Sequence, residues 1–361
     1  MVPPNQYTLF TEVSPFYADL LAALPDARSE ITMMYFSFVQ GTWADRIAQA
    51  LKDRAAAGVR VRLMVDQVGQ VVDQPRSTID SQLLLEELKE AGVQVDFFKP
   101  DGHRLTEDNR LHAKVCAIDE TAAFIGGSNI GDHYTELEDA NLRVKGELGR
   151  RLHDIYDFVR FHTEHGSDLP LPDFHLSEMK AGDAHIWLTV PKQRRDIRRA
   201  MLQIILDAET ELFIRNWYFL PDDEILDALR SQAARGVRVR VLFSHRTRVR
   251  VIDAGNHIHS HKLAKSGGEV YRFDNDFAHA KVAWNNRGEI LFGSANLDKQ
   301  AMRDNFECVL NFNDHRLTEQ LSHIFKRDAE KSILADEAYF RSMSLASRAF
   351  SYICSLAAPW L

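Results

Sequence analysis

The sequence lacks the features that mark several large classes of protein. Its three cysteines, Cys116, Cys308 and Cys354, have spacings that fit neither a metal site nor a disulfide framework, so we expect a reducing compartment. No run of about 20 consecutive apolar residues is present, so no membrane-spanning helix is expected. The N-terminus has no basic region followed by an apolar stretch, so no signal peptide is predicted either.

Positive charge is also in short supply. The 44 lysines and arginines are outnumbered by 52 acidic residues, which gives a net charge of −8. Proteins that bind nucleic acid in general carry a basic excess, so nucleic acid is not an expected partner. The rest of the composition, 45% hydrophobic and 27% charged over 361 residues, is that of an ordinary globular protein with room for two or three domains.

What the sequence does contain is a short pattern that occurs twice. The first copy is His112-Ala-Lys114-Val-Cys-Ala-Ile-Asp119, followed by Gly126-Gly127-Ser128-Asn129. The second copy is His279-Ala-Lys281-Val-Ala-Trp-Asn-Asn286, followed by Gly293-Ser294-Ala295-Asn296. Corresponding histidines and asparagines are both separated by 167 residues. A duplication of this kind predicts one active site assembled from two similar halves.

The similarity extends beyond the motif. Residues 43–66 and 225–243 each show helical periodicity, then a glycine (Gly58 or Gly236), then strict alternation of valine and arginine. This pattern is typical of a helix that ends at a glycine and leads into a half-buried strand. With earlier strands predicted at residues 31–38 and 212–219, each half has strands and helices in alternation. We therefore predict an α/β fold with two similar halves related by a pseudo-twofold, each with a mixed sheet flanked by helices.

The spacing between the halves also predicts the domain boundaries. The two glycines are 178 residues apart, which implies an insertion of 11 residues in the first half, placed at residues 99–109 beside the first motif. Residues 164–182 contain two prolines and several polar residues and are the predicted linker. The predicted domains are residues 1–165, residues 183–336 and a C-terminal amphipathic helical tail at residues 337–361.

Each motif has the chemistry of phosphoryl transfer. A histidine and a lysine two residues apart on a strand share one face, so two imidazoles and two ammonium groups would meet. A histidine with a pKa near ~6.5 can act as nucleophile or general acid, and lysine and asparagine can stabilise charge on phosphate oxygens. No cluster of carboxylates suggests a metal, so the lysines take the charge role of Mg²⁺, and no cofactor is expected.

The carboxylates near the motifs have separate predicted roles. Asp119 is an odd number of residues from His112, which places it on the opposite face, and we expect it to orient backbone. Asn286 can then make much the same hydrogen bonds in the second copy. An imidazole in these roles needs a carboxylate to fix its tautomer, and Asp139 and Glu307 follow the two histidines at distances of 27 and 28 residues.

At this point the residues resemble a known family. The duplicated His-x-Lys-x4-Asp pattern with a downstream Gly-Ser-x-Asn resembles the phospholipase D superfamily, and within it the bacterial cardiolipin synthases. Three further segments carry the same resemblance, over about residues 9 to 336: Gly58-Val-Arg-Val-Arg-Leu-Met-Val-Asp66-Gln-Val-Gly69, Trp217-Tyr218-Phe219-Leu220-Pro221-Asp222 and Asn305-Phe306-Glu307. Asn286 departs from the pattern, since it replaces the second aspartate.

The resemblance implies a role for each site residue. His112 would attack the lipid phosphorus, and His279 would protonate the leaving alcohol and then deprotonate the acceptor. Asp139 would orient His112, and Glu307 would orient His279. The implied catalytic set is His112, Lys114, Asp119, Asp139, His279, Lys281 and Glu307, and the implied phosphate-binding set is Lys114, Ser128, Asn129, Lys281, Ser294 and Asn296.

The predicted function is a phosphatidyltransferase of the cardiolipin synthase type that acts through a phosphohistidine. Its substrates would be phosphatidylglycerol and, as a further phospholipid, phosphatidylethanolamine. A hydrolytic phospholipase D, a nuclease of the same superfamily and a non-catalytic membrane-binding protein are the alternatives. Amphipathic residues 340–361 favour equally a membrane surface and packing on the protein's own core, so a cytoplasmic or peripheral membrane location is expected. The sequence does not indicate an oligomeric state.

Overall fold

The computed structural model describes residues 5–99, 109–166, 179–247, 250–273 and 278–357. Most of the predicted insertion at residues 99–109 and of the predicted linker at residues 164–182 lies outside the described residues. Within the described part, the chain forms two mixed sheets flanked by helices, and each half of the sequence builds one sheet.

The first half contributes seven strands and five α-helices within the ranges that the structure describes. The strands are β1 (Gln6–Glu12), β2 (Glu30–Tyr35), β3 (Arg60–Asp66), β4 (Gln94–Phe98), β5 (Val115–Ile118), β6 (Ala122–Gly126) and β7 (Glu138–Lys145). The helices are α1 (Val13–Ala23), α2 (Thr42–Ala56), α3 (Gly69–Val72), α4 (Thr78–Glu90) and α5 (Leu148–His165). The strands lie in the order β1-β7-β6-β5-β2-β3-β4.

The second half repeats this plan with additions at its edges. Its strands are β8 (Lys180–Ala181), β9 (Ala184–Val190), β10 (Arg194–Arg195), β11 (Glu211–Arg215), β12 (Arg238–Ser244), β13 (Glu269–Phe273), β14 (Val282–Asn285), β15 (Glu289–Gly293), β16 (Glu307–Asn313) and β17 (Ser332–Leu334). Its helices are α6 (Asp196–Leu206), α7 (Asp223–Ala234), α8 (Arg250–Ala264), α9 (His315–Glu330), α10 (Glu337–Ser342) and α11 (Leu345–Ala357). The order is β10-β9-β16-β15-β14-β11-β12-β13-β17, with β8 paired to β9.

Each of the seven strands of the first sheet has a counterpart, in the same order, in the second sheet. In each sheet, a strand that follows a motif (β5 or β14) lies between a hairpin partner (β6 or β15) and the first strand of a parallel group (β2-β3-β4 or β11-β12-β13). The helices α2 and α7 precede β3 and β12, and each is followed, two residues after its last helical residue, by a glycine: Gly58 with φ of 85° and Gly236 with φ of 93°. A residue with a β-carbon adopts this left-handed conformation only at a cost, so glycine is favoured at both turns.

The halves are joined through a common core. Three clusters of buried apolar residues are present, and the largest mixes side chains of both halves, such as Leu152 and Phe158 with Phe306 and Leu310. The backbones also meet. His112 N and Ala113 N donate to Phe306 O at 2.9 and 3.0 Å, and His279 N donates to Glu138 O at 2.7 Å. These reciprocal contacts are those expected of two halves that face each other across an approximate twofold.

The C-terminal tail forms the helices α10 and α11. One side of α11 packs on α8 through Ser351 and Cys354, which are buried, while Leu345, Phe350 and Ile353 are 51–78% exposed. The tail therefore packs on the protein, which is one of the two expected arrangements, and it still presents apolar side chains; its contact with a membrane surface stays a prediction. Among the helices of the described residues, none has the length and apolarity needed to cross a bilayer.

Candidate active site

The two motif histidines lie just before strands β5 and β14, not on them. Residues 112–114 form an extended segment that leads into β5 at Val115. Their side chains still share one face, because the Phe36 ring lies 5.6 Å from the His112 ring and 5.8 Å from Lys114 Nζ. In the second half, Trp217 takes the place of Phe36, at 4.9 Å from the His279 ring and 5.6 Å from Lys281 Nζ.

Each histidine is bound to a carboxylate of the other half. His112 Nδ1 lies 2.8 Å from Glu307 Oε1, and His279 Nδ1 lies 2.8 Å from Asp139 Oδ2. A carboxylate accepts but does not donate, so Nδ1 carries the proton in both imidazoles and Nε2 has the free lone pair. The expectation that Asp139 orients His112 and that Glu307 orients His279 is therefore wrong, since the pairs are crossed.

The backbone explains why the pairs are crossed. The segment before each motif strand pairs with the chain just before the carboxylate of the opposite half, as Leu111 does with Phe306 and Ala278 with Glu138. The next residue along each partner chain is then Glu307 or Asp139. Each histidine consequently meets the carboxylate that is distant in sequence.

The serines of the two Gly-Ser segments hold these carboxylates. Ser128 Oγ donates to Asp139 Oδ2 at 2.8 Å, and Ser294 Oγ donates to Glu307 Oε2. Both serines are buried, and their hydroxyls are occupied. The expectation that they bind phosphate is not supported, because hydrogen bonds to the carboxylates make them positioning residues.

The lysines are buried cations that point toward the same space. Lys114 Nζ donates to the carbonyl oxygen of His112 at 2.7 Å, and Lys281 Nζ donates in the same way to His279 O. Burial lowers the pKa of Lys114 to about 7 and that of Lys281 to about 8. An anion bound beside them would raise both pKa values again, so the site favours a ligand that brings negative charge.

Burial also lowers the pKa of both histidines, that of His279 to about 4, and the nearby lysines act in the same direction. The carboxylates oppose this effect. Burial disfavours ionisation of Asp139, but His279, Lys281 and Ser128 outweigh it and lower the pKa of Asp139 to about 2. Near neutral pH the site thus holds two neutral imidazoles and an anionic Asp139, and neutral imidazoles are what a nucleophile and a base require.

The two asparagines differ in what they offer. The amide oxygen of Asn129 accepts from Phe36 N at 3.1 Å, and its nitrogen donates to the Tyr134 hydroxyl at 2.7 Å. Asn129 is therefore engaged in holding the cavity wall. Asn296 is 5% exposed, and its Oδ1 finds no hydrogen-bond partner among the described residues.

Asp119 and Asn286 lie away from the histidines and make matching contacts. Asp119 accepts from the backbone N–H groups of Arg28, Ser29 and Glu30 at 2.8–2.9 Å, just where β2 begins. Partial burial disfavours its ionisation, but these bonds and the Ser29 hydroxyl lower its pKa to about 2. Asn286 Oδ1 accepts from the backbone N–H groups of residues 209–211 at 2.9–3.4 Å, where β11 begins. The position of Asp119 therefore does not support its place in the catalytic set, because both side chains orient backbone.

A cavity of about 90 Å³ opens between the histidines, and its lining includes residues that were not predicted from the sequence. Its lining comprises Phe36, Asp73, His112, Asn129, His133, Tyr134, Leu137, Trp217 and His279. Positioning residues at strand ends were missed as well. Asp66 at the end of β3 accepts from Leu111 N at 2.8 Å, and Ser244 at the end of β12 donates to Ala278 O at 3.1 Å. Their matching positions in the repeated strands were the available signal.

Two histidine–lysine pairs on a duplicated α/β sheet, each completed from the opposite half, define a phosphoryl-transfer fold assembled from two similar units. The chain belongs to the family described as "Cardiolipin synthase, PLD-like domain", whose model matches residues 20–154 and 201–329.

Similar proteins include several named cardiolipin synthases. The chain is 29% identical over 319 residues to the cardiolipin synthase of Alkalihalophilus pseudofirmus, with 84% of this chain and 62% of the relative covered. It is 28% identical to that of Halalkalibacterium halodurans, with coverages of 98% and 72%. Cardiolipin synthase A of Pseudomonas putida is also 28% identical, with coverages of 91% and 69%. The chain thus spans about two thirds of the length of these relatives.

Solved structures confirm the fold. The phosphatidylserine synthase of Haemophilus influenzae superposes with a TM-score of 0.77, at 13% identity, over 99% of this chain and 95% of that chain. The polyphosphate kinase of Porphyromonas gingivalis superposes with a TM-score of 0.60, at 14% identity, over 97% of this chain and 52% of that one. The prediction of two similar phospholipase D-like halves is confirmed.

Proposed function

We propose that the protein is a phosphatidyltransferase of the cardiolipin synthase type, which moves a phosphatidyl group from one phospholipid to a hydroxyl of another. The observation that carries this proposal is the pair of imidazoles, each with Nδ1 bound to a buried carboxylate, beside two buried lysines. The named cardiolipin synthases among its relatives support the choice of substrate.

The reaction would proceed in two displacements. In the first, His112 Nε2 forms a bond to the lipid phosphorus, the bond from phosphorus to the headgroup oxygen breaks, and protonated His279 gives that oxygen its proton. In the second, neutral His279 takes the proton of the acceptor hydroxyl, whose oxygen bonds to phosphorus while the bond to His112 breaks. Lys114 and Lys281 stabilise the charge that develops on the phosphoryl oxygens.

The division of roles between the two histidines comes from the family resemblance. Each imidazole has the same kinds of partner, a carboxylate at Nδ1 and a lysine nearby, so on this geometry alone the two could act in either order. Both are neutral at rest, so His279 must acquire a proton when substrate binds. A bound phosphate anion favours this, because it adds negative charge beside an imidazole that burial and the lysines hold neutral.

Phospholipid substrates require access to a membrane surface, and α11 is the element we propose to provide it. Its exposed side chains Leu345, Phe350, Tyr352 and Ile353 form an apolar strip, and the exposed Arg348 adds positive charge. Three arginines near α6 add less positive charge to such a surface, since Arg194 and Arg199 pair with Asp196, and Arg198 pairs with Asp222. A peripheral location on the membrane is thus part of the proposal.

Product analysis tests the function. The protein should convert vesicles of phosphatidylglycerol to cardiolipin and glycerol, with phosphatidylethanolamine added as a second substrate in a parallel reaction. His112→Ala should abolish both products while the fold is retained by circular dichroism. Phosphatidic acid as sole product would replace the proposal with a hydrolytic phospholipase D, and cleavage of DNA that depends on His112 would replace it with a nuclease.

A further inference from the structure

A carboxylate in the cavity wall has no role in the chemistry described so far. Asp73 follows α3, lines the cavity and is largely buried, with an exposed side-chain fraction of 8%. The hydroxyls of Ser37 and Tyr134 both donate to its Oδ2, the latter at 3.0 Å. Burial disfavours ionisation of Asp73, but His133 and these hydroxyls outweigh it and hold its pKa below the usual value. An anion therefore faces the space where substrate binds.

The neighbour of this carboxylate is an imidazole nitrogen that contacts it only at long distance. His133 Nε2 is buried and lies 3.4 Å from Asp73 Oδ1, an ion-pair contact that is too poor in geometry to count as a hydrogen bond among the described residues. A ligand group that bonds to this nitrogen more closely is therefore favoured. An alcohol hydroxyl both donates and accepts, and it could bond to the carboxylate and the imidazole together.

The cavity wall that contains Asp73 and His133 also reaches His279, the imidazole that acts on the alcohol in the proposed mechanism. Tyr134, which donates to Asp73, has its ring 5.9 Å from the ring of His279. His279 is the imidazole to which the proposed mechanism assigns proton transfer to and from the alcohol oxygen. The repeat has no equivalent wall in the second half, because the residues 167 positions after His133 and Tyr134 are Gln300 and Ala301.

We propose that Asp73 and His133 form a subsite for the alcohol, which binds a second hydroxyl of a polyol such as a glycerol headgroup. This inference rests on the proposed function and identifies where its alcohol is held. The leaving alcohol and the acceptor alcohol occupy the same position in the two displacements, so one subsite serves both. Asp73 and His133 exchange no proton in the reaction. By holding the second hydroxyl of the alcohol, they place the hydroxyl that reacts next to His279 and thereby favour the acceptor over water.

The test compares two donors in the same variant. Phosphatidylglycerol has a headgroup with a second hydroxyl, and phosphatidyl-p-nitrophenol has none. In Asp73→Asn the ratio of phosphatidylglycerol turnover to p-nitrophenol release should fall about tenfold, the size expected when one hydrogen bond to a charged group is lost. The ratio of cardiolipin to phosphatidic acid should fall by a similar factor, because water replaces the acceptor.

Asp19→Asn is the matched control, since Asp19 pairs with Arg143 outside the cavity and undergoes the same chemical change. Both ratios should stay at their wild-type values in this variant. If Asp73→Asn does not fold, His133→Gln tests the same subsite and should lower the two ratios about threefold or more.

The outcomes separate the two levels of the proposal. Unchanged ratios in a folded, active Asp73→Asn would overturn the subsite alone, and would leave Asp73 as a residue that holds Ser37 and Tyr134 in place. A wild-type protein that turned over neither donor would overturn the proposed function, and the subsite with it. A fall in both ratios that Asp19→Asn does not reproduce would support the subsite.

Discussion

The crossed pairing of histidines and carboxylates predicts that each half of the protein supports the chemistry of the other. We expect Glu307→Gln to impair His112 and Asp139→Asn to impair His279. Each change replaces a carboxylate 2.8 Å from imidazole Nδ1 with an amide, which can donate to Nδ1 and move the ring proton to Nε2. That tautomer has no lone pair at the reacting nitrogen.

The size of the effect follows from the loss of that tautomer. A carboxylate-to-amide change beside a catalytic imidazole lowers the rate on the order of 10⁴-fold in the serine protease triad, which corresponds to about 5 kcal/mol of transition-state stabilisation. Both sites here are buried, so solvent cannot replace the lost partner. We expect a loss of similar size in the step that the affected histidine performs.

Phosphatidyl-p-nitrophenol separates the two steps, because p-nitrophenolate leaves without needing a proton. Glu307→Gln should slow the initial burst of p-nitrophenol, since His112 is the proposed nucleophile. Asp139→Asn should keep a burst of about one equivalent and slow the later turnover, and the covalent intermediate should accumulate. The reverse pattern, with the burst lost in Asp139→Asn and kept in Glu307→Gln, would refute either the crossed pairing or the assignment of His112 as nucleophile. The reference is His112→Ala, which removes the proposed nucleophile and should show no burst at all.

Three further predictions concern charge and stability. Asn286→Asp should change activity less than about twofold and raise the free energy of unfolding in urea by less than about 1 kcal/mol. By analogy with Asp119, whose pKa is about 2, the added stability should be complete above the unfolded pKa near 3.8 and should disappear as pH falls towards 2. A large gain in activity would contradict this prediction. Binding of a nonhydrolysable phosphonate monoester at pH 8 should take up protons, since the pKa values of Lys114 and Lys281 are about 7 and 8; observed calorimetric heats that are equal in buffers of different ionisation enthalpy would show no uptake. Asp328→Asn should lower the free energy of unfolding by about 3 kcal/mol because Arg215 loses a buried partner at 2.6 Å, whereas Asp227→Asn, in the exposed pair with Arg230, should cost less than about 1 kcal/mol.

Most of the fold could be predicted from the internal repeat, because the period of the repeat is visible in the sequence. Matching segments before and after Gly58 and Gly236 predict matching helices and strands, and the sheets follow the same order. The presence of two histidines and two lysines at one site follows from the same symmetry. The position of Asp119 and Asn286 also agrees with the expectation that they contact backbone, although Asp119 lies in a turn with φ of 49° and not on a continuing strand.

The carboxylate pairing could not be predicted in this way. Asp139 and Glu307 stand at nearly equal distances from the histidine of their own half, so the sequence favours pairs within each half. The actual pairs depend on which backbones meet, and the bridge between Leu111 and Phe306 joins residues 195 positions apart. Asp73 and His133 were missed for a related reason, since neither has a counterpart in the repeat and they meet, at 3.4 Å, only in the folded chain.

The crossed pairs and the one-sided cavity wall together suggest how a duplicated protein can run an asymmetric reaction. The groups that act on phosphorus, one imidazole with one carboxylate and one lysine from each half, keep their symmetry because the two displacements are chemically alike. The wall does not, because Asp73, His133 and Tyr134 all come from the first half, and the residues 167 positions after His133 and Tyr134 are Gln300 and Ala301. This polar wall approaches His279 through Tyr134, and we propose that it places the alcohol beside that imidazole. The site can therefore distinguish the nucleophile from the acid and base by where the alcohol binds, while the histidines themselves have the same immediate partners.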